Sequence, residues 1–127
     1  MSKKILIVDD EPHIRLLLTQ TLEELEDEGV EILTATNGAE GLELIQTEKP
    51  DLVFLDVMMP QMNGFDVCKA VKANLEITHI FIIMLTAKGQ EFDRNKGLEV
   101  GADLYMTKPF DPDEVLEKAQ DVLGLAL

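Results

Sequence analysis

The sequence predicts a doubly wound α/β domain, with five parallel strands alternating with five helices that cover both faces of the sheet. Two observations carry that prediction. Five short apolar runs, the fourth without any polar alternation, are separated by segments with apolar residues at helical spacing, as expected of strands buried on both sides. Two of the runs end in carboxylates, Asp9-Asp10 and Asp56, and sheets of this class bind ligands outside the carboxyl ends of their strands.

Residues 4–8 make the first strand. Pro12 suits the first turn of a helix, and Ile14, Leu17, Leu18, Leu22 and Leu25 recur at the spacing of one buried stripe. Leu16 falls off that stripe and is expected at the surface. Gly29 closes the helix after the acidic run 23–28. Residues 30–36, rich in β-branched side chains, read as the second strand. Asn37-Gly38 then turns into a helix carrying Ala39, Leu42 and Ile45, which Lys49-Pro50 stops.

The central strand, 51–55, leads to Asp56, and Pro60 forbids its simple continuation. A loop through Asn63-Gly64 enters a helix with Val67, Cys68 and Val71 inside. Residues 80–85 form the fourth strand, with Thr86 at its mouth. Residues 90–100 read as the fourth helix, on a thin stripe of Phe92, Leu98 and Val100, with Gly97 costing about 1 kcal/mol relative to alanine. Residues 101–106 give the last strand, ending at Thr107-Lys108-Pro109, and Asp111 caps a final helix that starts with Pro112 and buries Val115, Leu116, Ala119, Val122 and Leu123.

The 127 residues, 1–127, suit a single domain. With 25 acidic against 11 basic residues and a formal net charge of −14, direct binding to nucleic acid or to an anionic membrane is not expected. The basic start at Lys3-Lys4 is followed by only four apolar residues and two aspartates, so a signal peptide or membrane span is not expected and the protein reads as cytoplasmic. The lone Cys68 reads as a small core hydrophobe, and His13 and His79 are too isolated for a metal cluster.

The strand mouths therefore collect Asp9, Asp10, Asp56, Thr86 and Lys108. Carboxylates so placed repel by about 4 kcal/mol per pair at 4 Å for an effective dielectric near 20. Protons or a cation must offset this, and an all-oxygen set without cysteine or histidine suits Mg²⁺, with Mn²⁺ in substitution. A carboxylate also attacks phosphoryl groups to give an acyl phosphate. Asp56 fits that role, with Mg²⁺, the Lys108 ammonium and the Thr86 hydroxyl available to the three equatorial oxygens.

These residues resemble the receiver domain of two-component response regulators, of the chemotaxis-regulator type. The resemblance runs through Ile-Val-Asp-Asp at 7–10, Leu-Asp-Val-Met-Met-Pro at 55–60, Met-Asn-Gly at 62–64, Leu-Thr-Ala at 85–87, Gly-Ala-Asp at 101–103 and Lys-Pro-Phe at 108–110, and so spans essentially the whole chain. It implies the flavodoxin-like strand order 2-1-3-4-5, Asp56 as phosphoacceptor, and Mg²⁺ on Asp10, Asp56 and the Met58 carbonyl with Asp9 assisting through water. It also implies Lys108 on the phosphoryl group, a cis bond to Pro109, and a switch in which Thr86 moves and Tyr105 turns inward, altering an output face of helix 4, strand 5 and helix 5. The implied donor is a sensor histidine kinase or a histidine phosphotransfer protein, docking on Ile14, Leu17 and Pro109, with Leu16 added here on its exposure. The output passes to an effector domain or a downstream protein. His79 departs from the proline common before the fourth strand in this family. Such a protein is a signalling module and not a turnover enzyme.

Other readings fare worse. A haloacid-dehalogenase-like phosphatase needs Asp-x-Asp after the first strand, and Val8-Asp9-Asp10-Glu11-Pro12 lacks it. A nucleotide binder wants a Gly/Ser/Thr-rich loop where this chain has two aspartates. The alternative that survives is a phosphate-independent interaction module on the same fold.

Overall fold

The structure, a computed structural model, describes residues 3–87 and 101–125. Five strands form one parallel sheet in the order β2-β1-β3-β4-β5: β1 Lys4–Val8, β2 Glu31–Ala35, β3 Leu52–Asp56, β4 Phe81–Ala87 and β5 Leu104–Lys108. The helices are α1 Pro12–Leu22, α2 Gly38–Glu48, α3 Gly64–Ala73 and a C-terminal helix Pro112–Leu123. The helix expected over residues 90–100 lies outside the described residues.

Period-two alternation in β1, β3 and β4 sends successive side chains to opposite faces, and here both faces are dry. Leu6, Val8, Val53, Leu55, Ile82 and Met84 join Ile45, Val67, Cys68 and Val71 in one core under α2 and α3. Ile5, Ile7, Leu52, Phe54, Ile83 and Leu85 join Leu18, Leu22, Val115, Ala119 and Leu123 in a second core under α1 and the C-terminal helix. Each fully buried leucine or isoleucine contributes about 1.5–3 kcal/mol, which is why these strands carry no polar alternation.

Helix entries follow the local chemistry. Asn37 Oδ1 accepts from Glu40 N–H at 2.9 Å, Asn63 and Asp66 form a reciprocal capping box, and Asp111 Oδ1 accepts from Asp113 N–H at 2.9 Å. The first helix differs from expectation at its far end. It stops at Leu22 and tightens into a 3₁₀ turn, Glu23–Glu28, before Gly29. Five acids with no basic partner in that run repel one another at α-helical spacing, while the tighter turn still buries Leu25. Leu17, expected on the buried stripe, is 38% exposed, next to Leu16 at 58%. Ile14, Leu116 and Val122 are only partly buried, Ala39 is exposed, and the fourth strand extends through Thr86 and Ala87.

Lys72 ties the lower edge of the sheet together. Its Nζ donates to Thr78 O at 3.1 Å, Ile80 O at 2.7 Å and Asp103 Oδ2 at 2.8 Å, and the same Asp103 oxygen accepts from Ile82 N–H at 2.9 Å. The end of α3 is thereby joined to the starts of β4 and β5. Lys72→Ala strips three acceptors of one donor, so urea unfolding is expected to show a loss of about 2–4 kcal/mol; a loss below 0.5 kcal/mol would show the staple to be idle.

Candidate functional site

Parallel register decides which residues meet. Val8 pairs with Ala35 and Leu55, Asp56 with Leu85, Thr86 with Thr107, and Ala87 with Lys108. The residues just beyond Val8, together with Asp56, Thr86 and Lys108, thus share the carboxyl edge, where the order reverses between β1 and β3. Among the described residues three polar side chains are buried, Asp9 (0% exposed), Asp56 (4%) and Thr86 (5%), and all three lie at this edge. Burial of polar groups without packing need marks the edge as a site.

Lys108 is the counter-charge. Its Nζ lies 3.0 Å from Asp9 Oδ2, 3.1 Å from Asp56 Oδ1 and 3.8 Å from Glu11 Oε1. The contact to Asp56 is a hydrogen bond. The contact to Asp9 is an ion pair with a carboxylate that is wholly buried. Carboxylate oxygens of Asp9, Asp10, Glu11 and Asp56 all lie within 4.8 Å of one another. One ammonium among four carboxylates leaves the edge strongly negative. The donor set is all oxygen and carries more negative charge than the one ammonium offsets, which matches a small hard divalent cation.

The electrostatics show in the proton affinities. Burial pushes the Asp56 carboxyl from 3.8 up to about 7, the neighbouring Asp9 charge adds to this, and Lys108 opposes it only in part. For Lys108, burial works to lower the value, but the carboxylates of Asp56 and Asp9 outweigh it and raise the ammonium above its ordinary 10.5. Burial pushes the Cys68 thiol to about 11, as suits a core side chain.

Loops bring these groups together through close backbone approaches. A Cβ on Gly64 would overlap the carbonyl oxygen of Asp56, and one on Gly38 would overlap that of Met62. The loop after β3 therefore folds directly back on the strand it leaves, with Gly64 N–H donating to Val57 O at 3.0 Å. The Lys108–Pro109 bond is cis, as the resemblance implied. Met58 is 62% exposed, two residues past Asp56. Tyr105 is half-buried against the core under α2 and α3, Pro109 is exposed, and on α1 Ile14 is partly buried against the second core while Leu17 is exposed.

Two neighbours of the site were not predicted. Glu11 joins the acidic cluster, and Arg15 Nη1 donates to the Asp9 carbonyl at 2.6 Å. An acid directly after Asp9-Asp10 was the available signal for the first; for the second, an arginine one turn into the helix was a weak one.

A doubly wound parallel sheet in the order β2-β1-β3-β4-β5, with an acidic cluster and a lysine at its switch point, defines a flavodoxin-like α/β class. The chain belongs to the response regulator receiver domain family, whose model matches residues 5–120. It is 49% identical over 123 residues to the alkaline phosphatase synthesis transcriptional regulatory protein PhoP of Bacillus subtilis, covering 97% of this chain and 49% of that protein. Among solved structures, the chemotaxis response regulator CheY4 of Vibrio cholerae is 36% identical with a TM-score of 0.83, over 96% of this chain and 99% of that one. A BeF3-activated DrrB receiver domain is 31% identical with a TM-score of 0.85, over 98% and 99%. The chain spans about half the length of the curated relatives it matches. Among the described residues no helix is long and apolar enough to cross a membrane.

A carboxyl whose folded-state value is raised binds more protons folded than unfolded, so it removes stability as pH climbs from 3.8 to about 7. Without divalent cation, thermal unfolding of the wild type is expected to lose stability across that window relative to Asp56→Asn, with the variant the more stable at neutral pH. Parallel profiles for the two proteins would contradict the assignment.

Proposed function

We propose that the chain is one receiver domain, residues 1–127, which accepts a phosphoryl group on Asp56 from a sensor histidine kinase or a histidine phosphotransfer protein. The observation that carries this reading is the Lys108 ammonium at 3.0 and 3.1 Å from Asp9 and Asp56, at the switch point of a family member's sheet. Asp10, Asp56 and the Met58 carbonyl are the proposed Mg²⁺ ligands, with Asp9 assisting through water and Mn²⁺ able to substitute. When bound, the cation neutralises charge on the transferring group.

The chain's own residues do the rest. A carboxylate oxygen of Asp56 forms the new O–P bond as the P–N bond of the donor phosphohistidine breaks. The electron pair leaves on the imidazole nitrogen, which takes up a proton. Burial desolvates Asp56, and Lys108 exchanges a carboxylate for a phosphoryl oxygen without leaving the edge. Thr86 and Tyr105, on the adjoining β4 and β5, then respond to the new dianion, altering the face that includes β5 and the C-terminal helix. The kinase docks over Ile14, Leu17 and Pro109, with exposed Leu16 beside them.

The net charge of −14 disfavours direct contact of this chain with nucleic acid, and the proposed output passes to an effector domain or a downstream protein. The proposed compartment is the cytoplasm. A phosphate-independent interaction module has no evident use for an ammonium held 3.0 and 3.1 Å from Asp9 and Asp56 at the carboxyl edge, so that reading is not favoured.

Labelling by acetyl phosphate with Mg²⁺ tests the proposal. Wild type is expected to take up one phosphoryl group, Asp56→Asn none, and Lys108→Ala to be slowed about a hundredfold; equal labelling of wild type and Asp56→Asn overturns it. The apolar, exposed Met58 offers no hydrogen bond to orient water, so the phosphorylated domain is expected to decay slowly. Rapid decay in Mg²⁺, followed by loss of label, would refute that role for Met58.

A further inference from the structure

Beyond the hydrogen bond from its N–H to Ala35 O at 3.3 Å, Asp9 is held at three points. Its Oδ1 accepts from Glu11 N–H at 2.9 Å and its Oδ2 faces Lys108 Nζ at 3.0 Å, both contacts from within the site. The third comes from outside it, where Arg15 Nη1 donates to the Asp9 carbonyl at 2.6 Å. Arg15 is half-buried, and the first turns of α1 set its own backbone. Its N–H donates to Glu11 O at 3.2 Å, and its carbonyl accepts from Thr19 Oγ1 at 2.7 Å. Among the described residues no carboxylate pairs with Arg15. The guanidinium is therefore committed to a backbone oxygen in the turn between β1 and α1, through a charge-assisted hydrogen bond.

We propose that Arg15 is a positioning residue for the cation site: by holding the Asp9 carbonyl it fixes the turn out of β1 and keeps the Asp9 and Asp10 carboxylates converged on Asp56. The inference rests on the reading of this edge as a Mg²⁺ site. Position and charge act with opposite signs here. A guanidinium beside an acidic site repels a cation, so a residue acting through charge alone would, when removed, tighten Mg²⁺ binding. A residue acting through position loosens it, although the field becomes more negative.

Isothermal titration with Mg²⁺ of the full chain, as wild type, Arg15→Ala, Arg15→Lys and Asp10→Asn, separates these. Arg15→Ala is expected to bind about tenfold more weakly than wild type, and Arg15→Lys, with one charged donor, to recover part of the loss. Affinity of Arg15→Ala equal to or above wild type overturns the proposal. If Asp10→Asn loses affinity while Arg15→Ala does not, the metal site stands and only this inference falls. A wild type that binds no Mg²⁺, or an Asp10→Asn that binds as well, removes both. Should Arg15→Ala fail to fold, Arg15→Lys decides: weakened binding supports the proposal and unchanged binding overturns it.

Discussion

One ammonium shared by several carboxylates at a single sheet edge is the constraint from which the rest of this molecule follows. Lys108 meets Asp9 and Asp56 within 3.1 Å, yet the acids outnumber it, and Asp56 retains a proton affinity far above that of a solvated carboxyl. Such a concentration of like charge cannot be left on mobile loops, because each group would swing away into water. The parallel register, the glycines that let the loop after β3 lie against Asp56, and the hydrogen bonds around Asp9 all serve to hold it.

The same arrangement ties the positions of several oxygens to one ammonium. A group that adds negative charge at Asp56 changes the partition of a single lysine among competing oxygens, and Thr86 sits buried one residue beyond the partner of Asp56 in β4. Small local changes in charge therefore act on strands that run the full depth of the domain.

Sequence alone revealed much of this, for a physical reason. Buried parallel strands must be apolar, so Asp9, Asp56 and Thr86 stand out as the first polar residues after each run, and parallel pairing sends them to one edge. The Asn37-Gly38 and Asn63-Gly64 turns and the Asp111 cap located three helix starts within a residue. What stayed hidden depends on reach across the fold. The Lys72–Asp103 contact joins residues 31 apart in the chain, and no local pattern distinguishes Lys72 from its solvated neighbour Lys69. Leu17 has the spacing of a core residue, but the buried stripe of α1 is narrower than its apolar face, and only the packed helix shows which leucines lie outside it. Arg15 reads as an ordinary helical arginine until the turn beneath it is seen.

The double-sided packing of the sheet has a consequence for how such a chain tolerates change. Its backbone is a partition between two cores that share strands but not side chains: Val71 lies with α2 and α3 on one side, Ala119 with α1 on the other. Substitutions on opposite sides are separated by a hydrogen-bonded layer and sum independently, whereas those on one side compete for the same space. The domain is free to remodel one surface layer by layer while the other keeps its shape, so recognition of one partner is open to drift without disturbing the rest.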